Sequence, residues 1–312
     1  MTILLTGASG FVGSALLQRL QQDDCDVTVL VRAPTAPLAS GISRICPSEI
    51  VNTGDLTDTF AGITTVVHLG ARVHVMLETV SKPLTAYRAI NVENTLNLAR
   101  QAAIAGLKRF VFISSVKVNG ESTSPCQSFT EADPAAPRDF YAQSKYEAEQ
   151  GLHQLSADTG LEVVIIRPPL VYGPGVKANL AALKNAVQRG WPLPLGAVHN
   201  RRSLVSLDNL VDFIVTCINH PNAANQTFLV SDGQDLSTTE LVRGMSQAAG
   251  LPARLLPVPV WALRAGASLL RKRDVVQRLC GNLQVDISKA RSVLGWVPPV
   301  SVEEGLRRTM AL

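Results

Sequence analysis

The sequence of 312 residues is poor in charged and aromatic side chains, which make up only 17% and 5% of it. Its net charge is +4, and the densest basic cluster is the triplet Arg271-Lys272-Arg273. Proteins that bind nucleic acid usually carry a much denser basic stripe. We therefore expect no nucleic-acid partner.

Cysteine and long apolar runs are also scarce. Five cysteines lie far apart, at positions 25, 46, 126, 217 and 280, and none belongs to a Cys-x-x-Cys pair, so we expect no disulfide framework. The apolar runs are too short or too interrupted to span a bilayer, and the first residues show no secretory signal pattern. These features favour a cytoplasmic protein without membrane insertion. No His/Cys cluster has ligand spacing, so no metal is expected.

The first half of the chain alternates short apolar runs with helical patterns. The predicted strands are residues 3–6, 27–31, 65–69, 109–114 and 162–167, and the predicted helices are residues 11–22, 84–105 and 140–157. Strands that are apolar throughout are typical of a sheet covered on both faces. Together with the alternation they predict an α/β fold, a Rossmann-type doubly wound parallel sheet.

The pattern changes after Arg167, where proline and glycine become frequent. Helical patterns continue at residues 178–188, 207–219, 239–249 and 302–310. We predict a first domain of residues 1–167 and a smaller, mostly helical C-terminal domain of residues 168–312. Residues 203–232 are expected to return to the first domain.

A glycine-rich turn, Thr6-Gly7-Ala8-Ser9-Gly10-Phe11-Val12-Gly13, follows the first predicted strand and opens the first helix. Such a turn lets backbone amides approach a pyrophosphate at the positive end of a helix. Its Gly-x-x-Gly-x-x-Gly spacing departs from the simplest dinucleotide fingerprint, but its position predicts a dinucleotide site. The residues predicted to contact the cofactor here are Gly7, Ser9, Gly10, Phe11, Val12 and Gly13.

The end of the second predicted strand indicates which dinucleotide binds. The strand ends in Val29-Leu30-Val31-Arg32 without the carboxylate that accepts the 2′-hydroxyl of NAD, and the Arg32 guanidinium can bind a 2′-phosphate. The sequence therefore favours NADP, with NAD possible; Arg32 could instead stack on adenine or lie in solvent. Asp55 and Leu56 follow a third predicted strand, where Asp55 would contact the adenine amino group or cap a helix.

Tyr141 and Lys145 lie four residues apart on a predicted helix, so both side chains share one face. A nearby ammonium lowers the pKa of a phenol, which would let Tyr141 exchange a proton near neutral pH. Ser115 ends a preceding strand, at the edge where open α/β sheets place their chemistry. We predict Ser115, Tyr141 and Lys145 as catalytic residues, although Ser115 could simply cap the strand end.

With these motifs the sequence resembles the extended short-chain dehydrogenase/reductases, specifically the nucleotide-sugar epimerase, dehydratase and reductase group. The resemblance covers nearly the whole chain. Its further motifs are Val67-His68-Leu69-Gly70-Ala71, Asn91-Val92-Glu93-Asn94-Thr95, Arg167-Pro168-Pro169-Leu170-Val171-Tyr172-Gly173-Pro174, Arg202-Ser203-Leu204-Val205, Asp286-Ile287-Ser288-Lys289-Ala290 and Leu294-Gly295-Trp296.

The resemblance implies a dinucleotide-binding first domain, a nucleotide-sugar-binding second domain and a homodimer formed through residues 84–105 and 140–157. It implies further cofactor contacts at Leu69, Gly70, Ala71, Asn91, Tyr141, Lys145 and Pro168. It places a UDP-sugar against Ser115, Lys117, Tyr141, Asn179, Arg202 and Arg278. Arg202 suits a diphosphate because its guanidinium can bind two oxygens at once, but it could also be a surface arginine.

The group divides by its chemistry at carbon 4 of the sugar. Dehydratases commonly carry Asp-Glu directly after the catalytic serine, where this chain has Val116 and Lys117, so a dehydratase is disfavoured. Typical epimerases carry Tyr where this chain has Asn119 and Asp where it has Val31. Both departures weaken the simple epimerase interpretation.

The segment Val116-Lys117-Val118-Asn119-Gly120-Glu121 looks most similar to bacterial reductases of UDP-4-keto-6-deoxy-N-acetylhexosamines in surface-polysaccharide synthesis. The main expectation is therefore NADPH-dependent reduction at carbon 4. One alternative is a UDP-hexose or UDP-N-acetylhexosamine 4-epimerase that retains NAD. Another, of a different class, is a non-catalytic dinucleotide-binding scaffold.

Overall fold

The computed structural model describes residues 2–31, 43–45, 60–73, 82–269 and 273–311. Arg32, Asp55 and Leu56, which were predicted to contact the adenosine end of the cofactor, lie outside these residues. Everything below refers to the described ranges.

Nine strands occur in the described chain. They are β1 (Thr2–Thr6), β2 (Asp26–Leu30), β3 (Ser43–Ile45), β4 (Ile63–His68), β5 (Arg109–Ile113), β6 (Glu162–Arg167), β7 (Leu170–Tyr172), β8 (Leu204–Ser206) and β9 (Gln226–Leu229). Seven form one sheet in the order β3-β2-β1-β4-β5-β6-β9, and all its pairings are parallel. The remaining two, β7 and β8, pair in parallel as a separate small sheet.

Eleven α-helices accompany these strands within the described ranges. They are α1 (Phe11–Gln22), α2 (Pro83–Arg88), α3 (Asn94–Ile104), α4 (Phe140–Thr159), α5 (Ala178–Gln188), α6 (Leu207–Asn219), α7 (Thr238–Ala248), α8 (Val260–Leu269), α9 (Arg273–Cys280), α10 (Ser288–Leu294) and α11 (Val302–Met310). Helices α1 and α6 cover one face of the large sheet, and α3 and α4 cover the other.

The side chains of β1 show why the strands are apolar throughout. Ile3 and Leu5 pack in the cluster that contains residues of α1 and α6. Leu4 points the opposite way and packs with residues of α3 and α4. Since successive strand residues alternate between faces, a strand in a sheet covered on both sides buries both sets of side chains, which favours apolar residues at successive positions. The predicted doubly wound Rossmann-type sheet is confirmed.

The helix predicted over residues 84–105 is not one regular helix. A π-helical turn, Ala89–Glu93, separates α2 from α3. Such a turn inserts an extra residue and often marks a functional site. Here it contains Asn91, whose side chain is completely buried.

The C-terminal part has its own apolar core and is less purely helical than predicted. Tyr172 of β7, Met245 of α7 and Leu306 of α11 belong to this core. The strands β7 and β8 were not anticipated, nor were helices α8, α9 and α10. Strand β9 pairs with β6, and α6 packs beside α1, so these two elements belong to the large sheet and its cover.

Arg109 at the start of β5 ties three elements together. Its Nε and Nη2 donate to Glu162 Oε2 at 2.8 and 2.6 Å. Its Nη1 donates to the carbonyl oxygens of Cys217, Ile218 and His220, each at 2.9 Å. Arg109 is a buried cation that keeps a carboxylate partner and also satisfies carbonyl groups at the end of α6. It therefore fixes α6 against the sheet.

Candidate active site

The glycine-rich turn between β1 and α1 is built so tightly that only glycine fits. Gly7 has a φ of +73°, and a Cβ atom there would lie 2.8 Å from Gly70 N. A Cβ atom at Gly13 would lie 2.1 Å from Gly7 O. Helix α1 has Gly10 at its N-cap and no side-chain cap, so its first-turn amides, those of Phe11, Val12 and Gly13, are available to a phosphate group.

The loop after β4 lies directly against this turn. Gly70 N donates to Thr6 Oγ1 at 3.1 Å, and Leu69 N donates to Thr6 O at 3.3 Å. Residues 69–71, predicted to lie along the cofactor, are partly exposed, as are Phe11 and Val12, while Ser9 is exposed. The structure thus brings these predicted cofactor residues to one edge of the sheet.

Asn91 supports this edge from behind. Its Oδ1 accepts from Arg72 N at 2.7 Å, and its Nδ2 donates to Arg72 O at 3.0 Å and to Ser144 Oγ at 2.9 Å. Ser144 Oγ in turn donates to Tyr141 O at 2.8 Å. The buried amide therefore fixes the loop after β4 relative to the helix that carries Tyr141.

Lys145 is buried at the carboxyl end of β5. Its Nζ donates to Ile113 O at 2.8 Å and lies 4.3 Å from the centre of the Phe112 ring. Burial lowers the pKa of Lys145 to about 7, partly opposed by the nearby carboxylate of Glu149. An ammonium on this side chain can thus lose its proton close to neutral pH.

Tyr141 differs from the sequence prediction in its acidity. Its pKa is raised, first by burial of the phenol and then by the charges of Asp139 and Tyr87. The expected lowering by Lys145 is wrong for this structure, because burial raises the pKa of the phenol and Lys145 Nζ donates to Ile113 O. Among the described residues, no hydrogen bond involves the Tyr141 hydroxyl, so nothing within the described chain fixes its orientation.

Ser115 both caps a turn and stays available for hydrogen bonding. It is the N-cap of the 3-10 helix Val116–Val118, and its Oγ accepts from Lys117 N at 3.2 Å. A hydroxyl that accepts one hydrogen bond still has its own proton to donate. The capping interpretation and the catalytic one are therefore compatible.

The Lys117 side chain connects the turn that contains Ser115 to helix α4. Its Nζ lies 2.5 Å from Asp139 Oδ2 and 3.5 Å from Glu121 Oε1. Asp139 is the N-cap of α4, where its Oδ1 accepts from Ala142 N at 2.7 Å. Through this ion pair, the turn that holds Ser115 and the first turn of the helix that holds Tyr141 are fixed to each other.

A second, buried ion pair fixes α4 one turn after Lys145. Arg167 donates from Nε and Nη2 to the two carboxylate oxygens of Glu149, at 3.0 and 2.5 Å. Its Nη1 donates to Asn119 Oδ1 at 3.0 Å, and Asn119 Nδ2 donates to Thr130 O at 2.9 Å. Asn119, which stands where typical epimerases carry tyrosine, thus helps to hold Arg167 and the residue Thr130 in place beside the site.

Pro168 and the three residues predicted to bind a diphosphate occupy different positions. Pro168 is buried, and its carbonyl accepts from Val116 N at 3.0 Å, next to Ser115. Arg202 is partly buried, which lowers its pKa, and its Nη1 donates to Gly281 O at 3.1 Å just after α9. Asn179 in the first turn of α5 and Arg278 in the last turn of α9 are exposed.

Comparison with known proteins decides the family. The model of the NAD dependent epimerase/dehydratase family matches residues 3–231. The chain belongs to this family.

Relatives of this epimerase/dehydratase family member span its full length. A UDP-glucose 4-epimerase of Vibrio cholerae is 49% identical over 310 residues, which are 99% of this chain and 94% of that protein. An N-acetyl-α-D-glucosaminyl-diphospho-ditrans,octacis-undecaprenol 4-epimerase of Escherichia coli O157:H7 is 29% identical over 99% of this chain and 94% of that protein. The crystal structure of UDP-glucuronic acid 4-epimerase from Bacillus cereus in complex with NAD matches with a TM-score of 0.78, at 23% identity, over 100% of this chain and 96% of that one.

Several supporting residues of this family member were not predicted from the sequence. Asp139, Ser144 and Glu149 position the catalytic helix, yet none belongs to a motif that carries chemistry by itself. Asp139 had a visible signal, because an aspartate directly before a helical pattern is typical of an N-cap. Glu149 had none, since its partner Arg167 lies on another element.

Proposed function

We propose that the protein is a UDP-hexose or UDP-N-acetylhexosamine 4-epimerase that uses NAD. The observation that supports this choice best is the 49% identity to the UDP-glucose 4-epimerase of Vibrio cholerae, which extends over nearly all of this chain. The predicted dinucleotide turn and the catalytic helix α4 both lie at the carboxyl edge of the parallel sheet. Open α/β sheets bind their ligands at this edge.

We assign the dinucleotide to residues 1–167 together with residues 203–232, and the sugar nucleotide to residues 168–312. The described residues fit the cofactor: the turn at Gly7, Gly10 and Gly13 leaves room for a pyrophosphate, and α1 offers uncapped amides. In addition, Ser114 Oγ is buried at the end of β5 without a hydrogen-bond partner among the described residues. Bound NAD would supply a reversible hydride acceptor.

The protein's own residues would then move the proton. The Tyr141 side chain, acting as a phenolate when the site is occupied, would accept the proton of the sugar 4-hydroxyl and later return it, while Ser115 donates a hydrogen bond to the same oxygen. Since burial raises the pKa of Tyr141 in the protein alone, this step requires the pKa to fall when the site is occupied. Lys145, already close to its titration point, would provide the opposing positive charge.

The diphosphate of the substrate would bind Arg202. Its Nη1 is held by Gly281 O, and within the described chain no contact uses its Nε or Nη2. A partly desolvated guanidinium whose Nε–Nη2 edge is free is well suited to phosphate oxygens. Asn179 and Arg278 would add contacts from α5 and α9, and Lys117 would border the sugar beside Ser115.

A second candidate is the NADPH-dependent 4-reductase of a UDP-4-keto-6-deoxy-N-acetylhexosamine. The observation that favours it is the position of Asn119, which is bonded to Arg167 and Thr130 where typical epimerases carry tyrosine. The two candidates use the same Ser115, Tyr141 and Lys145. They differ in the fate of the dinucleotide: the epimerase would return the hydride and regenerate NAD, whereas the reductase would consume NADPH.

One experiment separates the two candidates. The purified protein is incubated with UDP-glucose and with UDP-N-acetylglucosamine without added cofactor, and the products are separated by chromatography. Conversion to the 4-epimer, with NAD released on denaturation, is the expected result. No conversion, together with stoichiometric loss of NADPH when a UDP-4-keto-6-deoxy sugar is supplied, would overturn the epimerase in favour of the reductase.

Tyr141→Phe tests the shared mechanism. We expect native folding, native dinucleotide binding and a loss of turnover by at least about a hundredfold, the usual contribution of a positioned acid/base. Tyr146→Phe is the matched control, because Tyr146 lies on the same helix and its hydroxyl accepts from Gln150 Nε2 at 3.1 Å, its one hydrogen bond to a described residue. Equal activity of both variants would remove Tyr141 from the reaction.

We also propose a homodimer formed by residues 84–105 and 140–157. Ile104 and Phe140, one from each segment, are 79% and 50% exposed in the single chain and would be covered in such a dimer. A monomeric mass in solution, measured by light scattering, would contradict this assembly.

A further inference from the structure

Two long segments of the chain contain no carboxylate side chain. Residues 163–207 and residues 241–273 include neither aspartate nor glutamate. The structure places the two segments side by side: Leu193 N donates to Arg254 O and Leu256 N donates to Leu193 O, both at 2.8 Å. One region of the C-terminal part therefore has basic residues and no acidic residues of its own.

Large apolar side chains are exposed in the same region. Trp191 is 55% exposed, Leu256 is 49% exposed and Trp261 is 73% exposed. Together with Leu251, Arg189, Arg254 and Arg264, which are also exposed, we call these residues the basic apolar face.

The basic and apolar side chains are interleaved. The Arg189 guanidinium lies 5.4 Å from the centre of the Trp191 ring, and Arg254 Nη1 donates to Gly190 O at 3.3 Å. None of Arg189, Arg254 and Arg264 forms a salt bridge with any described residue. Their charges are therefore available to an external anion.

Helix α8 presents opposite sides to the core and to solvent. Val260 and Leu263 pack against the apolar core of the C-terminal part, and Ala267 is buried. Trp261 and Arg264 are three residues apart, so they share the outward side of the helix. The helix has ten residues and is about 15 Å long, and none of the described helices is long and apolar enough to cross a membrane.

We propose that the basic apolar face docks the protein on the surface of an anionic phospholipid bilayer. Trp261 and Leu256 enter the headgroup layer, where an indole ring finds both apolar and polar surroundings. Arg189, Arg254 and Arg264 lie at the level of the lipid phosphates, which attract basic residues close to the membrane. A second copy of the chain is a poorer partner, because a symmetric contact would bring arginine against arginine.

Vesicle binding tests this proposal directly. The full chain is sedimented with vesicles of phosphatidylglycerol mixed with phosphatidylcholine, and with vesicles of phosphatidylcholine alone. We expect binding to the anionic vesicles that weakens as salt is added, and little binding to the neutral ones. Absence of binding at low ionic strength, or equal binding to both vesicles, would overturn the proposal.

Fluorescence locates the contact on the protein. The chain has three tryptophans, of which Trp296 is only 5% exposed, so a vesicle-induced blue shift reports on Trp191 and Trp261. The shift should shrink in Trp261→Phe. A shift that is unchanged in both Trp261→Phe and Trp191→Phe would place the contact elsewhere and overturn the proposal.

Matched variants separate docking from folding and catalysis. Arg254→Glu combined with Arg264→Glu should reduce binding to anionic vesicles by at least about tenfold, and Trp261→Ser should also weaken it. Val297→Ser removes a side chain that is 64% exposed but lies outside the basic apolar face, and should bind like the native chain. All variants should keep the native melting temperature and the native turnover of a soluble UDP-sugar. Self-association that Trp261→Ser abolishes, without vesicle binding, would assign the face to a second copy and overturn the proposal.

Discussion

Removing one partner of the buried Glu149–Arg167 pair should loosen the frame of the catalytic helix. Glu149 is 1% exposed and Arg167 is 7% exposed, so Glu149→Gln leaves a guanidinium in a nearly dry site whose partners, the new amide and Asn119, are all uncharged. Breaking such a pair from one side costs about 3–5 kcal/mol. Because glutamine keeps the shape of glutamate, we expect the free energy of unfolding to fall by about 3 kcal/mol, the lower end of this range. For a chain of this size, 1 kcal/mol corresponds to roughly 2–4 °C, so Tm should fall by about 6–12 °C.

Calorimetry on Glu149→Gln, Arg167→Met and the double variant measures this effect. The double variant should lose less stability than the two single losses together, since no unpaired charge stays buried in it. Asp23→Asn is the control, because Asp23 pairs with Arg19 at the surface and lies outside the proposed dimer segments; its Tm should stay within about 2 °C. A Glu149→Gln protein as stable as the native chain, or single losses that simply add, would refute the reasoning.

Two further variants test the site itself. Gly13→Ala places a methyl group 2.1 Å from Gly7 O and should weaken NAD binding by at least about tenfold in calorimetric titration. The control Gly266→Ala, whose added Cβ meets nothing within 4 Å, should bind NAD like the native chain. Native affinity in Gly13→Ala would show that the turn is not the NAD site. Lys145 has a pKa of about 7 in the folded chain against an ordinary 10.5. Between these pH values the lysine is protonated in the unfolded state but largely neutral in the folded one. The free energy of unfolding therefore falls as the pH is lowered from 10.5 towards 7. In dinucleotide-free protein, Lys145→Met should therefore be more stable than the native chain near pH 7, and the difference in unfolding free energy should shrink as the pH approaches 10.5. A difference that is constant with pH would contradict the lowered pKa of Lys145.

The sheet and its glycine-rich turn could be predicted because their signals are local. The apolar character of Ile3, Leu4 and Leu5, followed at once by the glycines, describes a buried parallel strand and the turn after it. The family resemblance then supplied the order of the motifs along the chain. These features depend on neighbours within about ten residues, which a sequence displays directly.

The acid–base behaviour of the site could not be predicted in the same way. The spacing of Tyr141 and Lys145 suggests a phenol whose pKa is lowered by an ammonium. In the structure Lys145 Nζ donates to Ile113 O, and the pKa of Tyr141 is raised. The partner of Lys145 lies 32 residues away on another element. Burial and partners of this kind depend on the assembled fold, and sequence spacing does not encode them.

The π-helical turn at Ala89–Glu93 shows the same limit. Its sequence is compatible with a regular helix, and the extra residue becomes visible only through the contacts of Asn91 with Arg72 and Ser144. Likewise, α8 was missed because its outward side carries Trp261 where a soluble helix would be polar. In both places the departure from a standard pattern coincides with a site that has a proposed role.

The position of β9 at the end of the large sheet has a consequence during synthesis of the chain. Strand β6 is complete when the ribosome has passed Arg167, but its neighbour begins only at Gln226. At roughly 5–20 residues per second, the roughly 60 intervening residues take several seconds to emerge. During that time the unpaired amide and carbonyl groups of β6 can pair with strands of other chains. The nascent chain therefore needs either protection by a chaperone or a sheet that forms only after β9 has emerged.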